Sequence, residues 1–519
     1  MIMKKILKFI ISLLLVVYFA GCIKDTGNYE YLDASEVAPR LVSGIEDTYS
    51  AITMEKLVID PQIDGDESDY EYAWYTYPVN NTNVAYDTLG VGRKLDHTVT
   101  MLSGTYVLVF KATSKENGTS VYKRSQLTVS SIFGIGYYVN KYEDGVTDLD
   151  FVDRYGVVNP NILEQINGES LPGKPVRITY EVNRYSYNVT NADGSVSRIA
   201  MKPAMMVCTD EDMRIYHGEN IELLKKWDQA FLELPAVKRP QGVWANTMGF
   251  MLMNDNAVCF VNNNGSNVGE FGYPYPNGDM VLNPNVAVAS SSYLAFDDKA
   301  GEFVGYHVQK HGYVKDAVIS ASPLTLGPVG EAYFTNCDLV YMGSQTYYAT
   351  AVGRSYAIVR DRETGAQFLW QIGIGNIQYG FIYDYGAGGL PIPSDFGVTE
   401  GKVFALKGGS SLALNTVIYY SSGDNRVHYY NPSNQTERRD MITLPEGEVV
   451  VDIEHSYDFY YKVDTFGVLS TKDGKWFLRT FNLEGSTPDV VLPHNAEYSG
   501  NGLAKNFIYR HANTSITYN

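Results

Sequence analysis

The sequence predicts an all-β protein, an immunoglobulin-like sandwich over residues 36–131 followed by a β-propeller over residues 132–519 with about seven blades, eight being the nearest alternative. Three observations carry this expectation. Short apolar runs recur in pairs across turns of Asp, Asn or Gly through the C-terminal three quarters of the chain. Tyrosine is in excess, 42 of 519 residues against 5 Trp, and Tyr favours half-buried strand faces. One segment, Asp69-Tyr-Glu-Tyr-Ala-Trp74-Tyr-Thr-Tyr77, alternates polar and aromatic residues with the period of a strand.

The N-terminus comes first in order. Met1-Ile-Met-Lys-Lys5, an apolar run from Ile6 to Ala20 and the ending Phe19-Ala-Gly-Cys22 describe a secretory signal over residues 1–21. The run is too short to be kept as a membrane span. A cysteine at the cut is what lipid attachment needs, so Cys22 is the expected lipidation site and the mature chain is expected to be anchored, not spanning. Residues 22–35 are polar and turn-rich and suit a flexible tether.

Between 36 and 131 the strands are Lys56-Leu-Val-Ile-Asp60, the Trp74 segment, and Gly104–Thr113 joined through Glu116-Asn-Gly118 to Ser120–Val129. The last two form a hairpin, because Asn-Gly supplies the turn. A Trp on a central strand with a terminal hairpin in about 95 residues is the pattern of an immunoglobulin-like sandwich without its paired cysteines.

From Gly134 onward one theme repeats. Its instances are Gly136–Val139; Ala204–Cys208 with Met213–Tyr216; Phe250–Met253 with Ala257–Val261; and Tyr293–Phe296 with Glu302–Tyr306. Tyr356–Val359 with Ala366–Trp370, Thr416–Tyr420 with Arg426–Tyr430, and Phe466–Leu469 with Lys475–Arg479 complete it. Each reads as the inner hairpin of a propeller blade, and a repeat of roughly 45–50 residues gives seven or eight blades. Helix is expected at two places, Ile221–Phe231 from its apolar spacing and a turn or two at Asn161–Ile166.

Composition excludes several classes of function. A net charge of −18 and the absence of Lys/Arg clusters argue against nucleic acid and anionic membrane surfaces as partners. Beyond Cys22, Cys208, Cys259 and Cys337 are odd in number and widely spaced, which fits buried thiols in strands better than a disulfide framework.

Chemistry-bearing motifs are few, and no catalytic residue, metal ligand or cofactor site is assigned. His307 and His311 lie four apart, but Val308 stands where a zinc-protease helix has Glu, and on a strand the two rings are too far apart for joint ligation. Gly168-Glu-Ser170 lacks the strand-to-helix setting of a nucleophile elbow. The acidic stretch Asp60–Asp69 lacks the spacing of a calcium loop, and Asp148, Asp150 and Asp153 read as turn caps. Three segments rich in Gly, Pro and aromatics read as loops: Phe271–Asp279, Gln378–Gly389 and His455–Tyr461. Aromatics on loops converging at one rim of a propeller can form a binding platform, and Tyr273, Tyr275, Tyr379, Phe381, Tyr383 and Tyr385 are the candidates.

The start Cys22-Ile-Lys-Asp25-Thr-Gly27-Asn28-Tyr29-Glu-Tyr31, the Trp74 strand, Gly136-Tyr-Tyr-Val-Asn140 leading to Asp148-Leu-Asp-Phe151, and Gln165–Pro175 resemble PKD-like lipoproteins of Bacteroidetes. That resemblance implies a setting beside a starch-utilisation-type (SusC/SusD-like) outer-membrane importer and other surface lipoproteins. It also implies a role in nutrient uptake as a non-enzymatic accessory subunit that binds a glycan or peptide or docks to the transporter. Lys24-Asp25 after the lipidated Cys resembles the signal that sends such lipoproteins to the outer face of the outer membrane. The competing expectation is a surface propeller hydrolase or lyase acting on glycan or peptide.

Overall fold

The protein is described by a computed structural model over residues 39–53, 55–79, 86–101, 103–191, 194–246, 249–262, 267–275, 279–289, 292–307, 312–314, 318–320, 336–345, 354–374, 381–384, 389–406, 416–458, 463–484, 489–490 and 492–510. Cys22, the leader and the tether lie outside these residues. Among the described residues no helix is long and apolar enough to cross a membrane. The chain divides into two compact units. The first takes Glu55–Val99 and Gly104–Val129 with the described residues up to Ala51; the second takes Ser130 onward with Ile52–Met54 and Thr100–Ser103.

In the first unit, β1 (Thr48–Ile52), β2 (Lys56–Ile59), β3 (Tyr70–Pro78), β4 (Asp87–Gly90), β5 (Leu95–Thr98), β6 (Gly104–Ser114) and β7 (Ser120–Ser130) form a five-stranded sheet of order β1-β7-β6-β3-β4 and a β2–β5 ribbon. The β6–β7 hairpin turns at Asn117-Gly118, where Gly118 has φ +73°. Strand β7 alternates exposed and buried residues, the mark of a sheet with one wet face. Trp74 on β3 is fully buried, packs on Phe110 with ring centroids 4.7 Å apart, and donates from Nε1 to the carbonyls of Gly92 and Arg93 at 3.1 Å each. Burial with its one polar atom satisfied makes it the pivot of this Ig-like β fold.

Among the described residues the second unit is a succession of seven sheets of three or more strands, with one two-stranded ribbon, Leu483–Glu484 against Asp489–Val490. The first holds β8 (Gly136–Glu143) and β9 (Val146–Asp153), with α1 (Ile162–Asn167) after it. The second is β10 (Pro175–Thr190), β11 (Val196–Thr209), β12 (Met213–His217) and β13 (Leu223–Lys225); the third is β14 (Pro240–Asn246), β15 (Gly249–Asn254) and β16 (Ala257–Phe260). The fourth is β17 (Ala287–Val288), β18 (Ser292–Asp297), β19 (Glu302–His307) and β20 (Gly312–Val314). The fifth holds β21 (Val318–Ser320), β22 (Cys337–Gln345), β23 (Arg354–Asp361), β24 (Gln367–Gly373) and β25 (Phe381–Asp384). The sixth is β26 (Val403–Leu406), β27 (Ile418–Ser421), β28 (Arg426–Asn431) and β29 (Thr436–Thr443), and the seventh is β30 (Val449–Asp458), β31 (Val463–Lys472), β32 (Lys475–Phe481) and β33 (Ala496–Asn501). The last strand, β34 (Leu503–Arg510), leaves the seventh sheet and pairs antiparallel with β8, completing the first.

The strand pairs expected from sequence are found as hairpins, but outside the three-stranded third sheet, where β16 is an edge, they are the central pair of the sheet and not its inner hairpin. In the second, third and sixth sheets another strand precedes the pair and takes the sheet's edge. The middle strands β12, β15 and β18 are buried along their whole length, because a neighbouring sheet covers each face. That is why the sequence shows continuous apolar runs such as Met205-Met-Val-Cys208 instead of alternation. Turns that need φ > 0 close them: Asp144-Gly145, Asp255-Asn256 and Asp473-Gly474 all have φ between +50° and +89°.

Consecutive sheets share a buried core all the way round. Tyr138 and Leu149 of the first meet Met205 and Tyr216 of the second, Met206 and Cys208 meet Val243 and Leu252 of the third, and so on to Leu469 and Trp476 of the seventh, which pack on Val139 and Val152 of the first. The edge strands β34, β10, β14, β17, β22, β26 and β30 likewise pack each on the next, and β30 returns to β34.

One expected helix is replaced. Leu223–Lys225 is strand β13, paired with β12, and Trp227–Gln229 is a single 3-10 turn. The apolar spacing that suggests a helix is satisfied another way, with Ile221 in one core and Trp227, Ala230 and Phe231 in the next. The open edge of β12 claimed the backbone. Helix α1 does form; the Asp148 carboxylate accepts from the N–H groups of Leu163 at 2.9 Å and Glu164 at 3.1 Å, and Gly168 (φ +76°) ends it.

Candidate functional site

Six of the seven edge strands, or the residues just before them, line one cavity of about 200 Å³. Arg177 comes from β10, Asn285 from the approach to β17, Tyr341 and Ser344 from β22, Phe404 from β26, Asp452, Glu454 and His455 from β30, and Asn506 from β34. A space of this size lies below the range of roughly 300–1,000 Å³ that suits drug-sized ligands and fits a molecule of sugar or amino-acid size.

Each polar wall residue is held by its strand. The Arg177 guanidinium lies over the Trp244 ring of β14 at 5.4 Å. Gly242, two residues before Trp244, makes this possible, because a Cβ there would sit 2.4 Å from the indole. Asp452 accepts from the N–H of Ile453 at 3.0 Å on one oxygen and from the N–H of Phe507 on β34 at 2.9 Å on the other. Asn506 accepts from Asn140 Nδ2 at 3.2 Å and donates to the Val176 carbonyl at 2.8 Å, so its amide joins β34 to β8 and β10. The Tyr341 and Phe404 rings stack with centroids 4.9 Å apart and planes 22° off parallel, giving the cavity a flat wall. Gly343 leaves room for that Tyr341 ring, since a Cβ there would meet its hydroxyl.

The electrostatics follow from enclosure. Burial pushes the Asp452 carboxyl up to about 7, against the pull of its two backbone N–H partners and of the Arg177 and Lys505 charges. Burial also draws Arg177 down, while Asp452 and Glu454 hold it up. Arg177 stays charged, because guanidinium cannot lose its proton in a protein. Asp452 is half-buried and lines the cavity.

Of the aromatic candidates, Tyr273 and Tyr275 do not line this cavity. Tyr273 is 62% exposed. Tyr275 packs against the core between the third and fourth sheets, its ring 5.9 Å from Phe260, and its N–H donates to the Val258 carbonyl at 2.9 Å. It is cover for a sheet end. Phe381 and Tyr383 lie on strand β25, not on a loop, since β25 pairs with β21 and β24. Tyr379 and Tyr385 lie outside the described residues, as does Cys22. His455 belongs to strand β30 and not to a loop.

Sequence reasoning passed over Arg177, Asp452 and Glu454, and took His455 only as the start of an aromatic loop. A signal existed: Val449-Val-Val-Asp452-Ile-Glu454-His455 and Pro175-Val-Arg177-Ile carry charges inside otherwise apolar strands, which native strands tolerate only where the charge has a use or a partner.

The remaining motifs have structural roles. Asp153 accepts from the N–H groups of Tyr155 and Val157 at 2.9 Å each, Asp150 pairs with buried Lys141 at 3.2 Å, and Ser170 donates to Asp148 at 2.6 Å. In the acidic stretch, Arg93 pairs with Asp60 at 2.7 Å and Glu67 at 3.1 Å. His307 ends β19, and His311 lies outside the described residues. Cys208, Cys259 and Cys337 are buried free thiols, and burial pushes Cys259 up to about 12.

No curated protein matches the chain. Among solved structures, a quinonprotein alcohol dehydrogenase-like protein from Bacteroides thetaiotaomicron VPI-5482 aligns over 91% of this chain and 99% of its own, at 11% identity and a TM-score of 0.40. The model of the PKD-like family matches residues 22–175, which take in the first unit and the hairpin of the first sheet.

Proposed function

We propose that the protein is a surface lipoprotein of the outer membrane, anchored through Cys22, whose second unit is a seven-bladed β-propeller that binds a small ligand in its central cavity. In that role it is a non-enzymatic accessory subunit of a SusC/SusD-like nutrient importer, handling a glycan or peptide. The observation that carries the ligand-binding reading is the meeting of Arg177 from β10 with Asp452, Glu454 and His455 from β30 at one cavity. Support for the propeller comes from seven sheets in order, a core between each and the next, and a last strand that completes the first sheet. The PKD-like match supports the surface setting.

A second reading, hydrolase or lyase, draws on one feature. Asp452, pushed up to about 7, stands two residues from Glu454, and a carboxyl held protonated near neutral pH beside another carboxylate is the pair that acid–base chemistry uses. One experiment separates the two. The purified chain is incubated with glycan and peptide panels while binding and cleavage are both followed. Capture without new reducing ends or new amines supports the binding module, and turnover abolished by Asp452→Asn supports the enzyme.

A further inference from the structure

We propose that the wet face of the β1-β7-β6-β3-β4 sheet in the first unit is a further binding site, which takes an acidic polysaccharide with its sugar rings on tyrosines and its carboxylates on Lys111 and Arg124. Strand register defines the face. Trp74, Leu108, Phe110 and Leu127 are buried in the core of this unit, so the residues that alternate with them stand on the opposite side of the sheet. There Ala73 of β3, Lys111 of β6 and Tyr122 of β7 form one row across the strands. Tyr75, Val109 and Arg124 form the next row, and Tyr77, Val107 and Gln126 the third.

The side chains of these rows gather into one patch. Tyr86, just before β4, meets Tyr75 and Tyr77 edge-on, each with ring centroids 5.2 Å apart. The Tyr75 hydroxyl feels Tyr122, Tyr86 and Tyr77 and the charge of Arg124, so the four rings and the guanidinium are neighbours. Tyr86 is 64% exposed and Tyr122 54%. Rings held in water on a sheet offer flat surfaces with hydroxyl tips, which suit the apolar faces and polar rims of sugar rings.

The cations set the charge of the ligand. In this unit Lys56 pairs with Asp96, Arg93 with Asp60 and Glu67, and Lys123 with Asp47, whereas no carboxylate among the described residues pairs with Lys111 or Arg124. Glu71, the next residue of β3 on this face, stands one row beyond Lys111 and pairs with neither. Lys111 lies instead over the Tyr122 ring at 5.7 Å. Two cations without an acid, on a chain whose net charge is −18, make this face complementary to an anion that the overall charge repels elsewhere. A protein partner is served less well. No Leu, Ile, Met or Phe stands on the three rows and Val109 is 1% exposed, while a protein interface is built around an apolar centre.

The test titrates the purified chain calorimetrically with an oligogalacturonate, with its methyl ester, which keeps the rings and loses the charge, and with polyglutamate, which keeps the charge and loses the rings. The oligogalacturonate is expected to bind at least about fivefold tighter than the ester, with polyglutamate weakest, and added salt should close the gap between acid and ester. Arg124→Gln should cost the acid about fivefold and leave the ester unchanged. Tyr86→Ala should weaken both by about fivefold to tenfold. Both side chains are exposed, so each variant should keep the melting temperature of the unaltered protein. Equal affinity for acid and ester, or for acid and polyglutamate, overturns the proposal. Binding of the acid that survives both substitutions and is lost in Asp452→Asn overturns it too, by moving the site to the central cavity. Loss of importer association in Tyr86→Ala, with no glycan bound, makes the face a protein-docking one and has the same effect. Binding of none of the three probes also overturns it and leaves the reading of the central cavity standing, since none of these residues lines that cavity.

Discussion

Trp476 on β32 donates its indole N–H to the Asp150 carboxylate on β9 at 2.8 Å, across 326 residues of sequence. The same carboxylate pairs with Lys141, which is 2% exposed, and accepts from the N–H of Asn161 at 2.9 Å. One buried acid thus holds the seventh sheet, the first sheet and the approach to α1, at the place where the succession of sheets meets its own beginning.

Two substitutions should therefore differ in cost. Trp476→Phe removes a donor but keeps most of the ring, and is expected to lower stability by about 1–3 kcal/mol. Asp150→Ala leaves buried Lys141 with Glu143 as its remaining partner and should cost more, about 3–5 kcal/mol. Thermal melts of the two variants check this, and equal losses would show that the Lys141 pair contributes nothing.

Arg510 closes the last strand in a similar way. Its guanidinium donates to the carbonyls of Phe133 and Gly218 and lies over the Tyr180 ring at 4.3 Å. Arg510→Ala takes one donor from each of the two carbonyls, leaving Phe133 with the Tyr138 hydroxyl, and removes the charge from the Tyr180 ring, so it should destabilise by about 2–4 kcal/mol. Lysine should restore only part of this, because an ammonium can donate to the two carbonyls that Nη1 serves but has no plane to lay on the Tyr180 ring. A denaturation midpoint for Arg510→Lys close to that of the unaltered protein would count against this account.

The Asp452 carboxyl gives a pH dependence whose sign is fixed. Its pKa is raised from 3.8 to about 7 in the folded protein, so between those values the folded state keeps a proton that the unfolded chain has released. Its contribution to stability is present at acid pH and is lost as pH rises through about 7. Glu181, also pushed up by burial, acts in the same sense, while His217 and His428, pulled down by burial, act in the opposite one. All three are common to an Asp452→Asn variant and cancel in the comparison. The variant should gain on the unaltered protein in melting temperature as pH goes from 5 to 8; parallel curves would exclude Asp452 as the titrating group.

The middle of each sheet was legible in the sequence, and the edge that builds the cavity was not. Pairs such as Phe250–Met253 with Ala257–Phe260 are buried on both faces, so their residues are apolar without interruption and their turns carry Asp, Asn or Gly. Strands β10 and β30 face a neighbouring sheet on one side and the cavity on the other, and Arg177, Asp452 and Glu454 interrupt their apolar pattern. Strand β17 is two residues long and β26 four, too short for any periodicity to show. The cavity escaped notice for the same reason: its residues come together only through packing between sheets far apart in sequence, which no local pattern encodes.

Tyr273 and Tyr275 stand two residues apart with unlike surroundings, and this divides the binding role expected of them jointly. Tyr273 is largely in water, so Tyr273→Ala should change stability by no more than about 0.5 kcal/mol. Tyr275 packs on Phe260 and the Met251–Tyr293 core, and its removal opens space that cannot fully collapse, so Tyr275→Ala should cost about 1–3 kcal/mol. Binding reads the other way. A ring used on a partner should cost on the order of 2 kcal/mol of affinity when removed, with the fold intact. Tyr273→Ala is the variant that can show such a loss cleanly, by capture of a glycan or of the importer with an unchanged melting temperature. If affinity and stability both survive Tyr273→Ala, Tyr273 is not an anchor for a partner.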